Sequence, residues 1–487
     1  MGSSMNSTLP LVVVVAVASG LSLLYGAVYI QFGQDLSIFI NQIGPILIFI
    51  ACGWAAYDLV RRSSLSLWSP VPWFLVASAA YYGFGPLALH FATPESLDYI
   101  NSDFPVDEQW LLRTNLLNTV GIGIVCGMVA IVMAVWPYRQ ERSDDGERDI
   151  TELIMWAFLT LGGTVKYLFT LPYALGLLSW VLPGSIQHLS TLVNAAIVLL
   201  FVLIQQGKTK YRLLLYLVIA SEFIVGLMTF SKQEVIMTVL AILLGRYLCK
   251  SNLRSMVASG LVMAAIYALV LSPFVSFARL ASGGLGVSEV NDLRSTVEEY
   301  DRVGKGAMAT LQPGVQGWWT RLCYTPVQAF VMDSYDSGGG GETFALLQYV
   351  FLPRFLSEDK PIMESGRDLT KLLTGDDSLG HTGVGVFGEA YWNGGWGMLI
   401  GVCTYLGILL ALVGRFSTTM VAKGQYVYMP LILMGIIAGL RPDDWFVPTY
   451  VGSIAEAVVL YVLLTVMVNL VRLWPTIFMS RRAHSNY

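Results

Sequence analysis

Charge is what this chain has least of. Only 13% of its 487 residues are charged, against 55% hydrophobic, which is too few to clothe a soluble enzyme of this size. The 29 basic and 33 acidic residues leave a formal net charge of -4, so there is no electrostatic footprint for nucleic acid. Histidine occurs four times, at 90, 188, 381 and 484, and no His-rich metal cluster arises from such spacing without distant convergence. The five cysteines, at 52, 126, 249, 323 and 403, form no C-x-x-C pair, which argues against a disulfide framework or a zinc ribbon. No fixed-period repeat and no second soluble domain stand out. A cleavable signal peptide is not expected either, because the first apolar stretch is long enough to span and lacks a small-residue cleavage site. The residues MGSS ahead of Met5 read as an expression-tag remnant.

What the chain does have is long apolar runs. A hydrocarbon core of roughly 30 Å needs roughly 17 to 25 residues of helix, and about twelve segments approach that length. They are 9–30, 38–60, 71–91, 115–136, 152–170, 189–205, 211–229, 234–249, 254–276, 395–414, 427–440 and 450–472. The expected fold class is therefore an all-α polytopic integral membrane protein. If every span is real, Arg61 and Arg62, Arg139 to Arg148, Lys208 to Arg212, Arg246 to Arg254, Arg415 with Lys423, and the basic tail all fall on one side. The positive-inside bias makes that side the cytoplasm, with both termini on it. Three regions follow: helices one to nine over 1–276, a large outer loop over 277–394, and helices ten to twelve with the tail over 395–487. A structureless loop of that size is unusual, so it is expected to hold short helices, one near 343–355.

The polar residues concentrate at the outer ends. Lys232, Arg279 and Arg441 stand at three predicted outer helix ends, against the topological bias. Each on its own reads as snorkelling or paired with Glu234, Asp443 or Asp444, whereas three cations at one depth suggest an anion site. The loop adds Arg354, Lys360 and Arg367 among others, and guanidinium groups suit the oxygens of a diphosphate. Within the spans, Lys166, Glu222 and Glu456 are costly in lipid, and Glu222 with Lys166 or Lys232 reads equally well as a structural ion pair. His381 in GHTG has an ordinary pKa suited to proton abstraction near neutrality, though a lone His is more often a packing residue. Glu389 in GEAYWNGGWG is a second candidate base, at a position also favoured by the helix N-terminus. Trp319, Tyr391 and Trp392 are interfacial aromatics by default, and such rings also stack on sugars.

The segment from Pro353 to Gly397 carries a P-R-F-L-x-x-x-K-P element (Pro353, Arg354, Lys360, Pro361), a Gly-rich gap, and then G-E-x-Y-x-N-G-G-x-G (Gly388, Glu389, Tyr391, Asn393, Gly394, Gly397). This pattern resembles the Wzy-type O-antigen polymerases, the oligosaccharide repeat unit polymerases related to O-antigen ligases. The resemblance implies a GT-C-like architecture of about twelve helices in the bacterial inner membrane, with one large periplasmic loop. It also implies inverting glycosyl transfer from a polyprenyl-diphosphate-linked oligosaccharide at the periplasmic face, with no metal, cofactor or nucleotide sugar. By the same resemblance Arg279, Arg354 and Arg441 hold the diphosphate, with Lys232, Lys360 and Arg367 as weaker candidates. His381 or Glu389 takes the acceptor proton. Tyr391, Trp392, Asn393 and Trp319 would face the glycan. The implied partners are the lipid-linked substrate, membrane lipid, and flippase and chain-length regulator proteins. The outer loop is net acidic, which departs from what an anionic glycan would favour.

Other readings remain open. A ligase shares the donor and differs in the acceptor. A transporter or flippase fits twelve helices, but such proteins show two comparable halves and midplane polar sites, whereas the polar content here sits in one loop. A transferase using a monophosphate sugar donor would need acids in the first outer loop, where only Asp35 stands; Glu95, Asp98, Asp103, Asp107 and Glu108 follow in the next.

Overall fold

The computed structural model describes residues 5–31, 34–102, 104–136, 151–175, 177–178, 188–229, 232–266, 315–352, 365–375 and 382–483. Among them there are helices and turns and no strand. Eight helices are long and apolar enough to cross a membrane, so the chain is a multi-pass membrane protein by length and composition. Each of the twelve expected segments falls on a helix, although 254–276 is described only to Ile266. Three are shorter apolar helices, at Leu189–Gln205, Leu253–Ile266 and Tyr426–Leu440, and the fourth remaining segment is the 18-residue helix Lys232–Cys249.

The chain packs into two compact units. The first comprises Met1–Gln140, Lys305–Thr419 and Gly435–Ser453. Its frame is α1 (Met5–Gln31), α2 (Gln34–Arg62), α3 (Pro70–Phe91) and α4 (Glu108–Val135). Starts are set by ordinary caps: Ser69 accepts from the Val71 N–H at 3.3 Å with Pro70 at the first helical position, and Asp107 accepts from the Trp110 N–H at 2.8 Å. Lipid tails give apolar surfaces no reason to prefer each other, so helices close by letting backbones approach at small residues. A Cβ at Gly83 would lie 2.8 Å from the Phe49 backbone, and one at Gly407 would lie 2.7 Å from the Val125 carbonyl oxygen. The core of this unit joins Leu11, Val14 and Ala18 to Ile122 and Val125, and to Cys403 and Leu406.

Unit 2 comprises Glu141–Gly304, Met420–Met434 and Ile454–Tyr487. Its centre is α6 (Leu192–Gln205), whose residues 192–200 are all buried. Around it stand α5 (Thr151–Ala174), α7 (Arg212–Met228) and α8 (Lys232–Cys249), followed by α9 (Leu253–Ile266). Gly162 under Leu192 and Gly245 under Phe201 permit the close crossings. A π turn interrupts α5 over Lys166–Thr170.

The segment expected to form the large outer loop holds short helices among its described residues: Gly317–Thr320, α10 (Thr325–Asp336), a turn over Thr343–Leu346 leading into Leu347–Val350, and α11 (Ser365–Thr374). Two differences from the sequence reading stand out. The helix near 343–355 is described as two short pieces ending at Val350. The tenth span starts where expected, after a break at Gly394 and Gly395, but a helical arm over residues 385–393 precedes it, and the two together are α12 (Gly385–Ala422). Glu389 therefore lies inside a helical arm and not in the loop before it. The break needs glycine because Gly395 has φ +60° and ψ -150°, a conformation that only glycine adopts readily.

Candidate functional site

The polar centre of unit 1 is the turn Arg441–Phe446, which follows α13 (Met429–Leu440). Two donors converge on the Pro442 carbonyl: the Tyr82 hydroxyl at 2.6 Å and the Val386 N–H at 2.9 Å. That carbonyl pins the turn both to α3 and to the first turn of α12. Arg441 pairs with Asp444 at 2.6 Å and is 41% exposed, so its guanidinium keeps an open side for a second anion. Thr449 donates a further 2.6 Å hydrogen bond to Asp444.

Asp443 is the unusual member. Its Oδ2 accepts from the Tyr324 hydroxyl at 3.0 Å. Its Oδ1 is buried and accepts from no other residue among those described. Burial pushes the Asp443 carboxyl above its ordinary pKa; the Tyr324 hydrogen bond opposes this, and the neighbouring Asp444 charge adds to it. Burial and the Asp443 charge likewise push Tyr324 well above its usual value. A carboxyl that ionises late, with one oxygen unclaimed, is suited to receive a proton. Tyr324 is held by Tyr81, edge-on at 5.5 Å between ring centres. Nearby Phe84 stacks on Trp319 at 5.0 Å and on Trp318 at 6.1 Å, and Trp319 donates to the Phe84 carbonyl at 3.0 Å.

Glu389 stands in the helical arm before the glycine break. It is fully buried. Thr343 donates to its Oε1 at 2.7 Å and the Phe446 N–H donates to Oε2. Asn393 completes the arrangement by donating to the Thr343 hydroxyl at 2.8 Å, while its own side-chain oxygen accepts from the Phe344 N–H at 3.2 Å. The carboxylate thereby ties three segments together: the loop at 343, the arm at 389 and the turn at 446. Both its oxygens are taken.

The remaining aromatic candidates are also engaged. Tyr391 donates to Asp336 at 3.0 Å, and Asp336 is paired with Arg113 of α4. Trp392 donates to the Gly339 carbonyl at 3.1 Å and packs with Val331, Leu369, Val384 and Trp445. Trp319 is half-buried, whereas Trp318 is 46% exposed. A reciprocal amide pair between Asn118 and Gln328, at 3.0 and 3.1 Å, fastens α10 to α4. Arg367 lies half-buried on α11. His381, Arg279, Arg354 and Lys360 lie outside the described residues, as does the side chain of Lys232, whose backbone opens α8 in unit 2.

Of the site residues expected from sequence, Arg441 lies in this turn and Glu389 binds it through the Phe446 N–H, while Asn393 stands behind Glu389 on Thr343 and Phe344. The sequence marks Asp443 as a partner for Arg441 and gives no sign of its pairing with Tyr324. The available signal was R-P-D-D at a helix end, two carboxylates for one guanidinium.

In unit 2, Lys166 bonds Glu222 and Glu234, both at 2.6 Å, and Tyr167 donates to Glu222 at 2.9 Å. Of the two partners open for Glu222, Lys166 and Lys232, the structure pairs it with Lys166 and adds Glu234 as a second carboxylate. Among the described residues no three His, Cys, Asp or Glu side chains group closely enough to hold a metal ion. Compared with known proteins, the chain matches no family model, no curated protein and no solved structure.

Proposed function

We propose that this chain is a membrane-embedded glycosyltransferase that polymerises polyprenyl-diphosphate-linked oligosaccharide repeat units on the outer face of the bacterial inner membrane, with a GT-C-like twelve-helix plan. The observation that carries the reading is the turn at 441–446, where a half-exposed arginine adjoins a buried Asp443 oxygen that no other described residue claims. Breaking a bond from an anomeric carbon to a diphosphate needs positive charge aimed at the leaving oxygens and a site for one proton. In this reading the acceptor hydroxyl oxygen attacks the anomeric carbon. The carbon–oxygen bond to the diphosphate breaks with its electron pair going to the leaving group, which Arg441 stabilises together with Arg354. The hydroxyl proton passes to Asp443, with His381 as the alternative acceptor. Glu389, with both oxygens engaged, positions the turn. Trp318 and Trp319 offer ring faces for sugar.

A ligase would use the same donor chemistry, and the motif resemblance favours the polymerase. A transporter has one observation on its side, the buried Lys166–Glu222–Glu234 cluster, because ionisable groups within spans often mark transport pathways. Deleting the gene and separating surface glycan by electrophoresis distinguishes the three. Loss of the long ladder with one capped repeat retained supports the polymerase; loss of every capped species supports a ligase or flippase and overturns it.

A further inference from the structure

Unit 2 carries a second polar feature, remote in sequence from the turn at 441–446 and independent of the proposed transfer reaction. Two adjoining cavities, of about 520 Å³ and 380 Å³, open beside α8 and α9 at the end that the Lys and Arg distribution assigns to the cytoplasm. The larger is lined by Arg246, Lys250, Asn252 and Ser255, with Gln205 from α6. The smaller shares Arg246, Ser255 and Ser259 and continues over Val239, Ile242 and Val262. Among the described residues no acid lines either cavity.

The cations at this end of the unit divide into two kinds. Lys208 and Lys210 are both committed to Glu152, at 2.5 and 3.2 Å. Arg246 and Lys250 have no ion-pair partner among the described residues and are exposed. A cavity with two uncommitted cations at its mouth and an aliphatic continuation is amphipathic in the sense that a phospholipid is. Leu261 and Val262 of α9 are 67% and 59% exposed, so the apolar part opens along a helix face suited to acyl chains. We infer that this double cavity is a binding site for an anionic phospholipid, its phosphate held by Arg246 and Lys250 and its chains along Val239, Ile242 and Val262. The aliphatic half distinguishes a lipid from free phosphate, and basic pockets between spanning helices on the cytoplasmic side suit acidic headgroups.

The test uses the purified full-length protein in detergent, titrated separately with phosphatidylglycerol and phosphatidylcholine and read by native mass spectrometry. The expected result is one tightly retained phosphatidylglycerol that phosphatidylcholine does not replace. In the double variant Arg246→Gln/Lys250→Gln its affinity falls roughly tenfold or more, since each basic residue near an anionic headgroup contributes appreciably. Ser259→Trp, which fills the shared wall, weakens retention while leaving both cations in place. Arg212→Gln, which removes an exposed cation outside the cavity, leaves retention unchanged. Equal retention of the two lipids, wild-type affinity in the double variant, or displacement of the lipid by excess inorganic phosphate would each overturn the inference.

Discussion

Asp443 lies in the turn at 441–446 and Glu389 binds the same turn through the Phe446 N–H, yet their carboxylates have opposite environments. Glu389 is satisfied at both oxygens, so what it stabilises is geometry. Removing the Thr343 hydroxyl leaves Oε1 buried and unpaired, and Thr343→Val should cost about 1–3 kcal/mol in thermal or denaturant unfolding. Glu389→Ala should be worse, because the Phe446 N–H loses its acceptor as well; Glu389→Gln should retain measurable activity, since an amide still offers an acceptor. Complete inactivity of a well-folded Glu389→Gln would restore Glu389 as the base. Asp443, by contrast, has an oxygen unclaimed and a pKa above its ordinary value. The ionised form is the one that accepts a proton. Activity should therefore fall as pH drops through that raised pKa, with an acid limb above the usual carboxylate value of about 4. Stability moves the other way: the protonated carboxyl is the form the fold prefers, so this group's contribution is full at low pH and is lost as pH rises through the raised pKa. Asp443→Asn should remove the acid limb and lower turnover by about a hundredfold or more, a result that pH–rate profiles of purified enzyme would check.

At the scale of elements, the break in α12 is what brings the arm bearing Glu389 over the turn at 446. A methyl group at Gly395 would lie 2.9 Å from Tyr335, and the residue has φ +60°. Gly395→Ala should therefore destabilise the protein by about 1–3 kcal/mol and reduce activity, while Gly397→Ala, where a Cβ meets nothing within 4 Å, should be nearly silent; melting of the two purified variants compares them directly. The helices themselves were legible, because apolar length is written locally in sequence and each expected span falls on one. The arm was not. Its nine residues, Gly385 to Asn393, carry a pattern interrupted by glycines, and distant contacts hold them in place: Phe387 packs on Gly121 and the Val386 N–H donates to the Pro442 carbonyl. The pairing of Tyr324 with Asp443 spans 119 residues and has no local signature at all. Aromatic positions misled in a related way. Tyr391 and Trp392 are amphipathic rings in a polar loop by sequence, yet their polar atoms are engaged inside unit 1 and their faces are packed.

For the whole molecule, the division into two units gives the buried charges separate settings. Lys166, Glu222 and Glu234 lie in unit 2 on and around the π turn of α5, and the proposed chemistry makes no use of them. Lys166→Met would leave the fully buried Glu222 carboxylate without its cation in a low-dielectric interior, a loss expected to cost about 3–5 kcal/mol and to appear as poor expression or a lowered melting temperature. If Lys166→Met folds normally and still abolishes function, the cluster belongs to a transport path. The central claim is the transfer reaction itself. Its most direct measurement is purified protein in nanodiscs, supplied only with polyprenyl-diphosphate-linked repeat unit and followed by electrophoresis of the released glycan. The account predicts a ladder of products longer than one repeat, formed without a nucleotide sugar and lost in Arg441→Ala and in Asp443→Asn. Wild-type protein, folded and mixed with its cognate repeat unit, that leaves the substrate at one repeat would contradict it.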